Sequence, residues 1–251
     1  MDHKADIGVF GGSGFYSFLD NVEEIELETP YGKTSDKISL AQIGDKKVAF
    51  LPRHAKDHSF PPHLIPFQAN LYAMKMLGVK YIIAPTASGS LRVDYKPGDF
   101  VICDQFVDRT CGRKDTYFTG PEVRHISPAE PYDEMLRQIA IKACEDLGIT
   151  VHKSGTVVVI QGPRFSTKAE SRWFSNMGWD VINMTQYPEC MLAKELEIPY
   201  ANIALITDYD AGLEGNPEVK PVTEDEVLRV FKDNNEKVKK VLYTMIEKLS
   251  L

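Results

Sequence analysis

Short apolar runs of strand length alternate with helical patterns along the whole chain, and this alternation restricts the fold more than any other feature. The strand-length runs lie at 5–10, 47–51, 79–84, 99–106, 156–160, 180–184 and 200–206. Several of them are almost continuously apolar, which is typical of strands that are covered on both faces. The pattern therefore predicts an α/β fold in which these strands lie inside one sheet.

Helical patterns fill the segments between the strands. Helices are predicted at 66–77, 133–147, 168–177 and 188–197. Gly78 and Gly148 follow the first two, where a helix end favours a residue that tolerates left-handed backbone. A long last helix is predicted because Thr223 and Glu226 have the spacing of a capping box, and apolar residues then recur at helical spacing up to Leu249.

The predicted sheet is mixed. Alternating runs at 36–43 and 47–51 are joined by Gly44-Asp45, which is a typical hairpin signal. The chain contains no repeat, no low-complexity tract and no linker rich in Pro, Gly and Ser. We therefore expect residues 1–251 to form a single domain.

Charge and composition exclude several classes of function. The 29 Lys and Arg residues stand against 36 Asp and Glu, and the net charge of −7 has the wrong sign for binding nucleic acid or anionic lipid. No apolar run approaches the roughly 18 residues of a membrane span, and the first residues lack a secretory pattern, so a cytoplasmic location is expected. Four scattered cysteines without C-x-x-C spacing predict reduced thiols and no metal site.

Polar residues gather directly after the predicted strands, where open α/β sheets bind their ligands. They are Gly11-Gly12-Ser13-Gly14, Arg53-His54, Thr86-Ala87-Ser88-Gly89, Thr185 and Thr207-Asp208-Tyr209-Asp210. Each group alone has an ordinary alternative role as a glycine turn, a solvated charged pair or a helix cap. Together, a guanidinium, a ring N–H, hydroxyls and loop N–H groups favour a phosphate pocket. The two carboxyl groups must face another part of the ligand, where they can exchange a proton with a heterocycle.

Eight motifs occur in order along the chain and resemble one enzyme family. They are Gly12-Ser13-Gly14, Arg53-His54-Ala55-Lys56-Asp57-His58, Phe67-Gln68-Ala69-Asn70, Thr86-Ala87-Ser88-Gly89-Ser90-Leu91, Gly162-Pro163-Arg164-Phe165-Ser166, Ile182-Asn183-Met184-Thr185, Pro188-Glu189 and Thr207-Asp208-Tyr209-Asp210. The set resembles the purine nucleoside phosphorylases, most closely the 5′-methylthioadenosine phosphorylases, and extends from Ile7 to about Leu249. The resemblance implies a mixed sheet with a distorted barrel, flanked by helices. It also implies assembly as a homotrimer or a dimer of trimers, with sites at the subunit interfaces.

The resemblance further implies a role for each matched position. Phosphate would be held by Ser13, Arg53, His54, Thr86, Ala87 and Thr185. The ribose would lie on Met184, and the purine would be surrounded by Phe165, Ser166, Asp208 and Asp210. The 5′ end would lie near His58 and, from a neighbouring subunit, His125. Inorganic phosphate is then a co-substrate, and neither a metal nor another cofactor is expected.

Two positions favour adenine as the base. In relatives that act on 6-oxopurines, Glu stands at the position of Ser166 and Asn at that of Asp208. An ionised carboxylate only accepts hydrogen bonds and suits a 6-amino group, whereas a 6-carbonyl oxygen needs a donor. The 5′ group is less clearly indicated, because Glu224 stands where the animal methylthioadenosine enzymes have an apolar residue. Glu224 could equally be an acidic residue in the first turn of the last helix.

The expected reaction is reversible phosphorolysis of S-methyl-5′-thioadenosine to adenine and 5-methylthioribose 1-phosphate, a step of purine and methionine salvage. Asp208, with a pKa raised by burial and by Asp210, would donate a proton to purine N7. Asp210 would accept from the 6-amino group, and the exchanged assignment stays open. The alternatives are a purine nucleoside phosphorylase acting on adenosine or on 6-oxopurine nucleosides such as inosine or methylthioinosine, a sensor without turnover, and a nucleoside hydrolase that uses water.

Overall fold

A computed structural model describes residues 3–15, 18–213 and 219–251 of the chain. Within these ranges the strands are β1 (Ile7–Gly11), β2 (Glu23–Ile25), β3 (Glu28–Thr29), β4 (Gly32–Lys33), β5 (Ile38–Ile43), β6 (Lys46–Pro52), β7 (Tyr81–Ser90), β8 (Phe100–Val101), β9 (Gln105–Arg109), β10 (Val151–His152), β11 (Thr156–Ile160), β12 (Val181–Asn183) and β13 (Tyr200–Asp208). The α-helices are α1 (Phe67–Met76), α2 (Glu134–Asp146), α3 (Lys168–Asn176), α4 (Gln186–Glu195) and α5 (Glu224–Lys248). The predicted α/β class is confirmed.

Eleven of these strands form one mixed sheet whose pairing branches at β7. The main path has the order β10-β8-β13-β7-β1-β6-β5-β2, and the branch runs from β7 through β12 and β11 to β9. Strand β1 pairs in parallel with β6 and β7, and β13 pairs in parallel with β7. The carboxyl ends of these four strands therefore meet at one edge. Among the described strands, the pairing does not close into a complete ring.

The predicted hairpin is confirmed, because β5 and β6 pair antiparallel across Gly44-Asp45. The predicted strand at 99–106 is instead two strands, since β8 pairs with β10 and β13 while β9 pairs with β11. Strands β2, β3, β4 and β10 lie outside the predicted runs, because each has only two or three residues and little apolar alternation. Strand β13 continues past its apolar run to Asp208, which keeps this polar residue in the ladder.

The five helices lie close to the predicted segments. Helix α4 begins two residues earlier than predicted, and Tyr187 inside it has non-helical backbone angles. At the start of α5, the Thr223 side chain accepts a hydrogen bond from Glu226 N at 3.3 Å, as the capping signal predicts. None of the helices in the described part of the chain combines the length and apolarity that a membrane crossing requires.

An aromatic cluster connects α5 to the turn that follows β1. Phe15, Phe18 and Phe50 pack with ring-centroid distances of 5.3 to 5.8 Å, and the Phe231 ring of α5 lies 6.2 Å from Phe15. Gly14 has a φ of 81°, and a Cβ at this position would lie 3.3 Å from the Phe231 side chain. Helix α5 therefore packs directly against the glycine turn, where a left-handed residue without a side chain is required.

Replacing Phe231 with Ala should destabilise the fold and loosen this turn. Removal of a fully buried phenyl ring costs roughly 3–5 kcal/mol, and Phe231 is 0% exposed. We expect a fall of this size in the free energy of urea unfolding, and a smaller loss in Phe231→Leu, which keeps most of the apolar volume. Equal stability of Phe231→Ala and the wild type would show that the ring does not support the turn.

Candidate active site

A cleft of about 200 Å³ opens at the edge where β1, β6, β7 and β13 end. Ten of the thirteen predicted site residues line it, namely Ser13, His54, His58, Thr86, Ala87, Phe165, Met184, Thr185, Asp208 and Asp210. The other three, Arg53, Ser166 and His125, are not part of the lining. The cleft thus lies at the carboxyl ends of parallel strands, as the general rule for open α/β sheets predicts.

Hydroxyl groups define the end of the cleft near β1 and β7. Ser13 and Thr185 line this part, and Thr185 directly precedes α4. The hydroxyl oxygen of Thr86 is held from behind, because it accepts a hydrogen bond from Nδ2 of the fully buried Asn202 at 3.1 Å. Hydroxyls can donate to the oxygen atoms of an anion, so this end of the cleft has the chemistry of a phosphate subsite.

Arg53 lies behind the lining instead of in it. Its guanidinium is 0% exposed and donates from Nε and Nη2 to both carboxylate oxygens of Glu189, at 2.5 and 2.7 Å. Nη1 donates to the main-chain oxygens of Phe10 and Pro85 at 3.2 and 3.0 Å. Burial favours the neutral form, but the Glu189 carboxylate outweighs it and holds the pKa of Arg53 above its ordinary value. The structure therefore does not bring Arg53 into the lining, where a direct phosphate contact was predicted.

His54 lines the cleft as a neutral ring. Nδ1 lies 2.8 Å from the main-chain oxygen of Phe60, which can only accept, so Nδ1 carries the hydrogen. Burial lowers the pKa of His54 to about 4, and the ring of His58 stacks on it at a centroid distance of 4.8 Å. Nε2 is then an acceptor near neutral pH. The donation of a ring N–H from His54 to phosphate stays a prediction.

Two buried carboxyl groups follow β13. Asp208 is 6% exposed, and its oxygens accept hydrogen bonds from the Thr207 hydroxyl and from Asp210 N, both at 2.7 Å. Burial raises the pKa of Asp208 to about 6, and burial also raises the pKa of Asp210. Asp210 has a φ of 51°, a left-handed conformation that is uncommon for a residue with a side chain and that directs its N–H to Asp208. A carboxyl with a pKa near 6 exchanges protons near neutral pH, as a general acid must.

A close approach of the backbone holds Asp208 in place. Gly89, at the end of β7, lies so close that a Cβ there would be 2.8 Å from Asp208 Oδ1 and 3.0 Å from the Ile182 side chain. Any larger residue would displace the carboxyl group. The glycine of the Thr86-Ala87-Ser88-Gly89 motif is therefore required by packing at the site.

The part of the cleft that remains has mainly apolar walls. Met184 and Phe165 line it, and Phe165 is 36% exposed in the single chain. Val227 and Leu228 come from the first turns of α5, and Glu224 is the carboxylate beside them. This surface suits a flat heterocycle and a sugar that carries a largely apolar 5′ group.

Ser166 and His125 lie outside the lining of the cleft. The Ser166 hydroxyl oxygen and Asp210 Oδ2 are both buried. The Ser171 and Ser166 hydroxyls lie close enough to the Asp210 carboxyl to act on its pKa in the direction opposite to burial. His125 is exposed and lies in an irregular, mostly exposed segment between β9 and α2. The single chain therefore does not bring His125 to the cleft, in agreement with a contribution to a neighbouring subunit and equally with a solvated loop residue.

Comparison with known proteins decides the family. The family model described as "Phosphorylase superfamily" matches residues 6–247. The chain belongs to the phosphorylase superfamily. The resemblance that its motifs carry is thereby confirmed, and the chain is an enzyme of this superfamily.

The similarity to individual phosphorylases covers almost the whole chain. An S-methyl-5′-thioadenosine phosphorylase from Hyperthermus butylicus is 51% identical over 249 residues, which cover 98% of this chain and 89% of that protein. A purine nucleoside phosphorylase from Streptomyces coelicolor is 46% identical over 254 residues, which cover 98% of this chain and 90% of that protein. The structure of a methylthioadenosine phosphorylase from Schistosoma mansoni in complex with adenine has a TM-score of 0.92 at 37% identity, with 97% of this chain and 91% of that chain covered.

Some residues of the phosphorylase cleft were not assigned a role from the sequence. Asn183 and Thr207 line it. Asn183 is the last residue of β12 and Thr207 the last but one of β13, so their position was an available signal. Val227 and Leu228 had no such signal, because their helical spacing is also that of core residues. Only the packing of α5 against the strand ends shows that they line the cleft.

The Arg53–Glu189 pair should contribute strongly to stability of the phosphorylase. Glu189→Gln leaves a fully buried guanidinium without a counter-charge, and breaking a buried pair costs roughly 3–5 kcal/mol. We expect a loss of this size in urea unfolding, whereas Arg229→Met, which removes an exposed pair with Asp233 at 3.7 Å, should change stability little. A double variant, Arg53→Met with Glu189→Leu, should recover much of the loss. A Glu189→Gln protein as stable as the wild type would contradict this assignment.

The raised pKa of Asp208 predicts how stability depends on pH. The Asp208 carboxyl has a pKa of about 6 in the folded protein, against about 3.9 in the unfolded chain. Its contribution to the free energy of unfolding is therefore fully present below pH 4. This contribution, of order 2–3 kcal/mol, is lost as the pH rises through 6. Asp208→Asn cannot ionise, so its unfolding free energy should fall less between pH 4 and 7. The exposed Asp233→Asn is the control, and parallel pH profiles of Asp208→Asn and the wild type would exclude a raised pKa.

Proposed function

We propose that this enzyme is an S-methyl-5′-thioadenosine phosphorylase, which converts S-methyl-5′-thioadenosine and phosphate to adenine and 5-methylthioribose 1-phosphate. The observation that carries the proposal is one cleft with a hydroxyl-lined end, an apolar middle and two buried carboxyl groups. These parts match an anion, a sugar and a basic heterocycle in that order. Relatives about 50% identical carry this name, and a neighbouring structure of the same name contains adenine.

At the hydroxyl-lined end, phosphate would be bound by Ser13, Thr86, Thr185 and the main chain at Ala87. Arg53, whose charge Glu189 balances, would act from behind by holding the main chain of Phe10 and Pro85. The neutral His54 would accept a hydrogen bond from a protonated phosphate oxygen. A bound phosphate oxygen attacks C1′ of the sugar while the bond from C1′ to purine N9 breaks. Phosphate also stabilises the positive charge that develops on the sugar.

At the other end, Asp208 would donate its proton to N7 of the leaving purine. A pKa of about 6 gives Asp208 a usable protonated fraction near neutral pH, and proton donation removes negative charge from the leaving group. Asp210 would accept from the 6-amino group, and the nearby Ser166 hydroxyl offers a further polar atom. Phe165 would cover the purine ring, and Met184 would pack on the ribose. Because a carboxylate cannot donate to a 6-carbonyl oxygen, adenine is preferred over hypoxanthine.

The 5′ group decides between this function and the second candidate, a purine nucleoside phosphorylase. Val227 and Leu228 favour a methylthio group, whereas the nearby Glu224 carboxylate can bind a 5′-hydroxyl. The Streptomyces relative, named a purine nucleoside phosphorylase, keeps this second candidate open. His58 would lie close to the same end of the ligand.

The subunit assembly and the cellular location of the enzyme follow from the same proposed function. We propose a homotrimer or a dimer of trimers in which His125 of one subunit completes the 5′ end of a neighbour's site. The exposure of His125 and of most of the segment that carries it supports this arrangement, since an exposed side chain can reach a neighbouring subunit. The enzyme would act in the cytoplasm in purine and methionine salvage, with phosphate as co-substrate and without a metal or other cofactor.

A substrate panel tests the proposed function. Methylthioadenosine, adenosine, inosine and methylthioinosine are each incubated with the enzyme, with and without phosphate, and release of free base is followed. We expect phosphate-dependent release, with the highest kcat/KM for methylthioadenosine and much lower values for the two 6-oxopurine nucleosides. Asp208→Asn should lower kcat by roughly 100-fold or more, as expected for loss of a general acid, while Asp233→Asn should not.

Each other result of the panel supports a different function. Base release that needs no phosphate would indicate a hydrolase. A kcat/KM for adenosine equal to or above that for methylthioadenosine would favour the purine nucleoside phosphorylase. Binding of nucleoside without release of base in either condition would indicate a sensor.

A further inference from the structure

The Thr207 hydroxyl lies between two acceptors at the purine end of the cleft. Thr207 is 1% exposed, and its oxygen is 2.7 Å from Asp208 Oδ2 and 3.3 Å from the main-chain oxygen of Ser88. A hydroxyl has a single hydrogen, so it donates to one of these acceptors at a time. The shorter distance assigns the hydrogen to the bond with Asp208.

The two acceptors give the hydroxyl a partner in both protonation states of Asp208. When Asp208 is ionised, the hydroxyl donates to the carboxylate, and this hydrogen bond stabilises the charged form. When Asp208 is protonated, the hydroxyl can turn to the Ser88 oxygen and is not left as a buried unpaired donor. The Thr207 hydroxyl therefore has an acceptor in both protonation states of Asp208.

The other groups around Asp208 act in different directions. Asp210 N donates to Asp208 Oδ1 and favours the ionised form, whereas the carboxyl groups of Asp210 and of Glu226 on α5 disfavour it. Gly89 of β7 and Ile182 of β12 bring no charge to the carboxyl group. The other ionisable side chains that line the cleft are Glu224, His54 and His58. Within the described residues, Thr207 is the side chain that donates a hydrogen bond to Asp208.

We propose that Thr207 is a positioning residue whose hydroxyl shifts the balance between protonated and ionised Asp208 toward the ionised form. Burial alone would keep the carboxyl protonated over a wider pH range, and the hydroxyl counteracts burial. The titration of Asp208 does not depend on the reaction, whereas the effect of Thr207 on the rate rests on the proposed function.

The first experiment follows the titration of Asp208 without ligands. The protein is labelled with ¹³C in its aspartate carboxyl carbons, and the Asp208 signal is assigned by its absence in Asp208→Asn. Thr207→Val and Thr207→Ala both remove the hydroxyl and should raise the pKa of Asp208 by roughly one to two units. Thr207→Ser keeps the hydroxyl and should titrate like the wild type. Thr207→Ala serves as the deciding variant if the valine protein does not fold.

The second experiment measures kcat against pH with methylthioadenosine and saturating phosphate. If protonated Asp208 is the general acid, kcat falls above its pKa, and loss of the hydroxyl should move this fall to higher pH by the same one to two units. A residue with only a structural role would lower kcat at every pH without moving the profile.

The outcomes separate the inference from the proposed function. The inference would be overturned if the pKa of Asp208 in both Thr207→Val and Thr207→Ala were equal to or below that in the wild type, whatever the enzyme catalyses. A raised titration with an unmoved kcat profile would support the role of Thr207 and overturn the role of Asp208 as general acid. A protein that cleaves no nucleoside would overturn the proposed function, and the ligand-free titration would still decide the role of Thr207.

Discussion

The buried ion pair of Arg53 and Glu189 connects the elements on which the cleft depends. Through its hydrogen bonds, the Arg53 side chain of the loop after β6 contacts the end of β1, the middle of β7 and the Glu189 carboxylate of α4. Glu189 also accepts from the Tyr200 hydroxyl at the start of β13 at 2.7 Å. Desolvation of two charges is costly, so such a pair is stable only when nearly every donor and acceptor is used. That requirement fixes the relative positions of four strands and α4 beneath the site.

Much of the fold could be predicted from the sequence, because strands covered on both faces are apolar along their whole length. The runs that became β1, β6, β7, β11 and β13 were of this kind. The prediction was weaker where structure depends on pairing partners. Strands β8 and β9 occupy one apolar run, and only their different neighbours divide it. The exposed two-residue strands have no apolar pattern that could reveal them.

The site was predictable as a set of positions and much less as a set of protonation states. The rule that ligands bind after the strands located Ser13, Thr86 and Asp208. It could not show that Arg53 faces a glutamate 136 residues further along the chain. Nor could it show that the Phe60 carbonyl fixes the hydrogen of His54 on Nδ1. Both facts come from long-range packing, which sequence motifs do not encode.

Burial acts on both ends of the cleft in the same way, since it favours the neutral form of each group. It lowers the pKa of His54 to about 4 and raises that of Asp208 to about 6. The charge of Arg53 is already balanced by Glu189. Among the described residues that line the cleft, none is a lysine or an arginine. In the proposed reaction, the strongest positive partner for phosphate is the sugar at the moment its bond to the purine breaks. An interaction that grows only at that moment accelerates the chemical step instead of tightening ground-state binding.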